Sequence, residues 1–89
     1  MKTVWKYPIP TQDDFTLVMP EPALILRVGT QRGEPYVWAL VDTTKPSIDV
    51  ALSLRSTGHD ATGVGTYIGT FQVVEGALVF HLFYGGGKA

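Results

Sequence analysis

The stretch "ALILRVGTQRGEPYVWALVD", residues 23–42, decides the fold. Its two apolar runs, 23–31 and 35–42, repeat with a period of two rather than 3.6, which predicts strands and not helices. Leu24, Leu26 and Val28 fall on one face of the first run. Val37, Ala39 and Val41 share a face of the second, with Tyr36, Trp38 and Leu40 opposite. Between them, "QRGE" places Gly33 where a tight hairpin turn requires positive φ.

Outward from this hairpin the same period continues. Residues 3–7, with Trp5 and Tyr7, make a first strand that Pro8 and Pro10 end, and 15–19 make a second before Pro20 and Pro22. Ile48, Val50, Leu52 and Leu54 alternate with Asp49, Ala51, Ser53 and Arg55, a strand wet on one side. Two further strands, 66–74 and 77–84, are joined at "EG". Six to seven short strands with Gly and Pro punctuation predict an all-β fold, a small antiparallel sandwich or barrel. Residues 1–84 form a single domain in this reading, and "GGGKA", 85–89, is a flexible Gly-rich tail.

Composition narrows the function classes. The chain has 89 residues, 45% of them hydrophobic and 17% charged, which suits one globular domain. No cysteine is present, so disulfides and thiolate metal sites are excluded. The net charge is −1 and the seven basic residues are scattered singly, so no footprint for duplex nucleic acid is expected. The N-terminal "MKTVWKYPIP" has no apolar signal core, and no apolar run reaches the length of about 20 residues that spans a bilayer. A cytoplasmic protein without membrane contact is the expectation. Ten of the 89 residues are Phe, Trp or Tyr, more than one small core can hide, and this predicts a homo-oligomer.

Catalytic signatures are weak. There is no phosphate loop, dinucleotide fingerprint or nucleophile elbow, and only two histidines, so no catalytic residue, metal or cofactor is assigned. An enzyme would need His59 with Asp60 or Glu75 as acid–base groups. Attention falls instead on "RSTGHDATGVGTYIGTFQ", residues 55–72. One reading makes it a plain turn, in which Gly58, Gly63 and Gly65 reverse the chain and Thr57 and Thr62 cap it. The other makes it a ligand site. The glycines then expose N–H groups to an anionic oxygen, Arg55 supplies a fork of donors, and His59 adds a donor or a stacking plane. Thr70 and Gln72 alternate onto the face of Ile68 and Val74, and His81 onto that of Val79 and Phe83. Trp38 and Tyr67 are core aromatics or stacking surfaces.

The marks "WKYPIP", "MPEPALIL", "QRGEPYVWALVD", "TGH", "YIGTFQ" and "LVFHLF" run nearly end to end. In them the chain resembles a family of small proteins of unknown function found in bacteriophages and bacteria. Its histidine motif usually has Gly before the Thr and Pro after the His, where this chain has Ser56 and Asp60. The resemblance implies a phage setting, in which small all-β proteins serve as sponges for host immune signals. That in turn implies a small phosphorylated nucleotide ligand, of cyclic nucleotide or ADP-ribose type, held without cleavage. Candidate ligand contacts are Arg55, Thr57, Gly58, His59, Tyr67, Thr70, Gln72, Trp38 and His81. A non-catalytic inhibitor or interaction module acting on a protein partner is the alternative.

Overall fold

A computed structural model describes residues 1–86 and contains seven strands and no helix among them. They are β1 (Lys2–Pro8), β2 (Asp14–Pro20), β3 (Leu24–Gln31), β4 (Glu34–Asp42), β5 (Ser47–Ser56), β6 (Val64–Val73) and β7 (Leu78–Gly86). All seven sequence-predicted strands are present. β7 runs on through Gly85 and Gly86, with Val64 opposite Gly86, so the strand enters the stretch read as a tail. The rest of that stretch, 87–89, lies outside the described residues.

The strands form two antiparallel sheets, one ordered β1-β4-β3 and the other β2-β5-β7-β6. The hairpin at 23–42 closes as its sequence requires. Arg32 and Gly33 take φ of 54° and 80° between the paired Gln31 and Glu34. Positive φ at both central positions is the turn whose twist matches the flanking strands. Alternation then delivers one face of each sheet to a shared core. Val28, Val37, Ala39 and Val41 come from the three-stranded sheet; Phe15, Met19, Val50, Leu52, Leu54, Phe71 and Leu82 come from the four-stranded one. A side chain of this size contributes about 1.5–3 kcal/mol when fully buried.

The sheets meet along the edges β3 and β6, where each strand carries a bulge. The β3 register shifts between Ile25 and Arg27, and the β6 register between Tyr67 and Gly69. The β3 bulge corrects the expected face. Ile25, opposite Ala39, and Val28, opposite Val37, turn inward, whereas Leu24 and Leu26 are about half exposed. One extra residue breaks the parity on which the sequence assignment rested. Gly69 makes the close approach possible, since a Cβ there would lie 2.6 Å from Val28 Cγ1.

Candidate functional site

The outward side chains of β6 and β7, and of the turn after β5, meet in one polar row. Thr57 continues the β5 pairing beyond the strand end, its N–H donating to the Val79 carbonyl at 3.2 Å. That sets its hydroxyl 2.7 Å from His81 Nε2. His81 Nδ1 lies 2.9 Å from Thr70 Oγ1, because Thr70 and His81 are direct cross-strand partners. Thr70 Oγ1 in turn lies 2.6 Å from the Tyr67 hydroxyl. Tyr67 meets Phe83 edge-on, with ring centroids 5.9 Å apart.

Tyr67 joins this row only because of the β6 bulge. Counted along the chain, residue 67 has the opposite parity to 70 and 72. The extra residue, Ile68, flips Tyr67 onto the face of Thr70, with Phe83 as its partner in register. A neutral imidazole donates from one nitrogen and accepts at the other. The row therefore has two orientations. If Nδ1–H donates to Thr70, then Nε2 accepts from Thr57, and the Thr70 hydroxyl donates to Tyr67. If Nε2–H donates to Thr57, every hydrogen bond reverses and Tyr67 becomes the outermost donor. Each end of the row thus offers a hydroxyl able to donate or accept.

The other residues nominated from sequence are placed differently. Arg55 is a strap. Its Nη1 donates to the carbonyls of Asp13 at 2.7 Å and Leu54 at 3.0 Å, and its Nε to the Asp60 carbonyl at 3.1 Å. Its Nη2 meets Asp14 Oδ1 at 3.3 Å. The guanidinium thus ties the 57–63 loop to the segment before β2, and its donors are turned toward protein oxygens. Gly58 and Gly63 do take positive φ, 88° and 82°, as a reversal there needs. His59 is exposed on the loop, its N–H donating to the Ser56 carbonyl at 3.1 Å. Asp60 Oδ1 accepts from the Thr62 hydroxyl at 2.7 Å and the Thr62 N–H at 2.9 Å. These bonds hold its carboxyl below the usual carboxylate range. Gln72 lies on the same face as Thr70, opposite Val79.

Trp38 is elsewhere. It sits on the outer face of the three-stranded sheet, flanked in register by Lys6 on β1 and Arg27 on β3. The structure therefore gathers Thr57, Tyr67, Thr70 and His81 with Gln72 nearby, leaves Gly58 and His59 on the adjoining loop, and separates Trp38. Phe83 was missed, although its place two residues beyond His81 marks it as sharing that face. Among the described residues, no three His, Asp or Glu side chains gather as a metal ion would require.

A sequence-family model described as a domain of unknown function, DUF7352, matches residues 1–88, and the chain belongs to that family. No curated protein and no solved structure matches the chain.

Proposed function

We propose that this member of the DUF7352 family is a non-catalytic binding protein that sequesters a small nucleotide-derived signal on the outer face of its four-stranded sheet. The observation that carries this reading is the row Thr57–His81–Thr70–Tyr67, with successive atoms 2.6–2.9 Å apart and aromatic edges beside it. Hydroxyls that can either donate or accept suit ribose oxygens and base edges, and Tyr67 and Phe83 give a ring something to lie against. The loop that adjoins the row carries the exposed His59, whose ring N–H would serve a phosphate. In a phage, capture of such a signal would blunt a host defence; that setting comes from the sequence resemblance.

Calorimetric titration with cyclic dinucleotides and ADP-ribose derivatives tests the proposal. His81→Ala should weaken binding by about 1–3 kcal/mol, the range for an orphaned hydrogen-bond partner. Ligand released by heat should be chemically intact. Absence of binding, or recovery of a cleaved product, would refute it.

A second reading rests on a separate observation. Leu24, Leu26, Tyr67 and Tyr84 are each about half exposed and line one depression of about 390 Å³ where β3 meets β6. Exposed apolar side chains gathered in this way suit a protein partner or another copy of the chain. Light scattering should then give a multiple of 9.7 kDa at micromolar concentration, and a monomer mass would remove the homo-oligomer.

A further inference from the structure

The outer face of the three-stranded sheet has a chemistry that the four-stranded sheet lacks. Across its middle runs the row Lys6–Trp38–Arg27, and in the next row Tyr36 stands between Pro8 and Gly29. The Tyr36 and Trp38 rings are neighbours, with centroids 6.1 Å apart. Lys6 Nζ sits 4.5 Å from the Tyr36 centroid and donates to Gln31 Oε1 at 2.6 Å. The Arg27 guanidinium lies 5.8 Å from the Trp38 centroid. It extends over Gly29, where the missing side chain leaves room; a Cβ there would stand 3.4 Å from Arg27 Nη2. Two cation–aromatic contacts on one three-stranded face are dense, because significant ones occur about once per 70–80 residues.

Charge follows the same division. Lys2, Lys6, Arg27 and Arg32 all belong to the three-stranded sheet or its hairpin turn, against two carboxylates, Glu34 and Asp42. Asp42 is ion-paired with the N-terminal ammonium at 3.1 Å and stands opposite Lys2 in register, so its charge is partly offset within the chain. The remaining described elements carry two cations, Lys45 and Arg55, against six carboxylates. The four cations do not converge on a point. Lys6 and Arg27 are two strands apart, roughly 10 Å, and Lys2 lies four residues from Lys6 along β1, roughly 13 Å. That spacing fits a chain of phosphates better than a single phosphate group.

We infer that this face binds single-stranded nucleic acid, with successive bases on Tyr36 and Trp38 and the backbone phosphates on Lys2, Lys6, Arg27 and Arg32. Stacking on aromatic rings beside a cationic track is how sequence-tolerant single-strand binding works, since every base has a π-face. The cations now resting on the rings are held by weak exposed contacts, which a phosphate can replace. This site is separate from the row around His81.

Fluorescence anisotropy with labelled oligo-dT and oligo-rU of about a dozen nucleotides tests it. Binding should be readable at about 50 mM salt and fall steeply by about 200 mM, with a log–log slope near −3 if four cations each meet a phosphate. The exposed double variant Lys6→Gln/Arg27→Gln should lose about tenfold or more and show a shallower slope. Trp38→Ala should lose affinity with the slope retained. Adenosine monophosphate should compete poorly, and His81→Ala should bind both oligonucleotides as the parent does. No anisotropy change at about 50 mM salt would overturn the inference. So would a double variant that binds with the parent affinity and slope, or a mononucleotide that competes as well as the oligomer.

Discussion

On the outer face of the four-stranded sheet, His81 joins two threonines and a tyrosine in a row that is uncharged while its imidazole is neutral, and the one arginine nearby is turned onto protein oxygens. On the outer face of the three-stranded sheet, two cations lie against aromatic rings and their charge has no carboxylate partner in the same row. Both faces come from the same alternation of inward apolar and outward polar residues. They differ in what stands beside each outward residue on the neighbouring strand. Cross-strand neighbours set surface chemistry more than sequence neighbours do.

The seam between the faces is the most sensitive place to break this arrangement. Gly69→Ala would drive a methyl group into Val28, a buried β-branched side chain with little rotamer freedom. A stability loss of up to about 3 kcal/mol is expected in chemical denaturation, the range for overpacking a core. Parent-like stability would show that the sheets are more loosely joined along β3 and β6. Next in size is Arg55→Ala. It strips hydrogen bonds from the carbonyls of Asp13, Leu54 and Asp60 and should cost about 1–2 kcal/mol. If its melt is unchanged while nucleotide binding falls, Arg55 serves a ligand and not the fold.

His81→Ala should cost about 1 kcal/mol in stability, since the row it opens faces solvent and water can replace its bonds. The loops flanking the two faces add a pH effect. Asp42 and Asp60 both have carboxyl pKa values depressed by hydrogen bonds from Thr44 and Thr62 respectively. A depressed pKa means that the folded chain binds the proton more weakly than the unfolded one. The stabilisation is therefore present above about pH 4 and fades as the pH falls further. Thermal melts should move down between about pH 5 and pH 2, less so in Asp42→Asn and Asp60→Asn. The smallest effect belongs to Lys6→Gln and Arg27→Gln, expected within about 0.5 kcal/mol of the parent. A larger loss would make the cation–aromatic contacts part of the fold's stability.

How much of this was legible beforehand depends on the range of the interaction involved. The strands and the hairpin turn were legible, because period-two patterning, Pro and Gly act within a few residues. In the candidate site, Thr57, Thr70 and His81 were nominated from a polar stretch and an apolar-flanked histidine, and they do meet. What they touch was not legible. Arg55 read as an open fork of donors, but its acceptors include the carbonyl of Asp13, 42 positions away in the chain.

The sequence by itself determined that this chain is all-β, where each strand lies, and that Val50, Leu52 and Leu54 share the dry face of their strand, whereas the inward faces of β4 and β7 were settled by the packing of the sheets. The first three follow from the two-residue repeat of side-chain direction and the local dihedral limits of Pro and Gly. Only the tertiary structure decided the bulges at Leu26 and Ile68, which expose Leu26 and turn Tyr67 toward Thr70. It alone gathered four scattered cations onto one sheet. A bulge and a strand partner are chosen by the packing of whole sheets against each other, and that choice is spread over residues far apart in the chain.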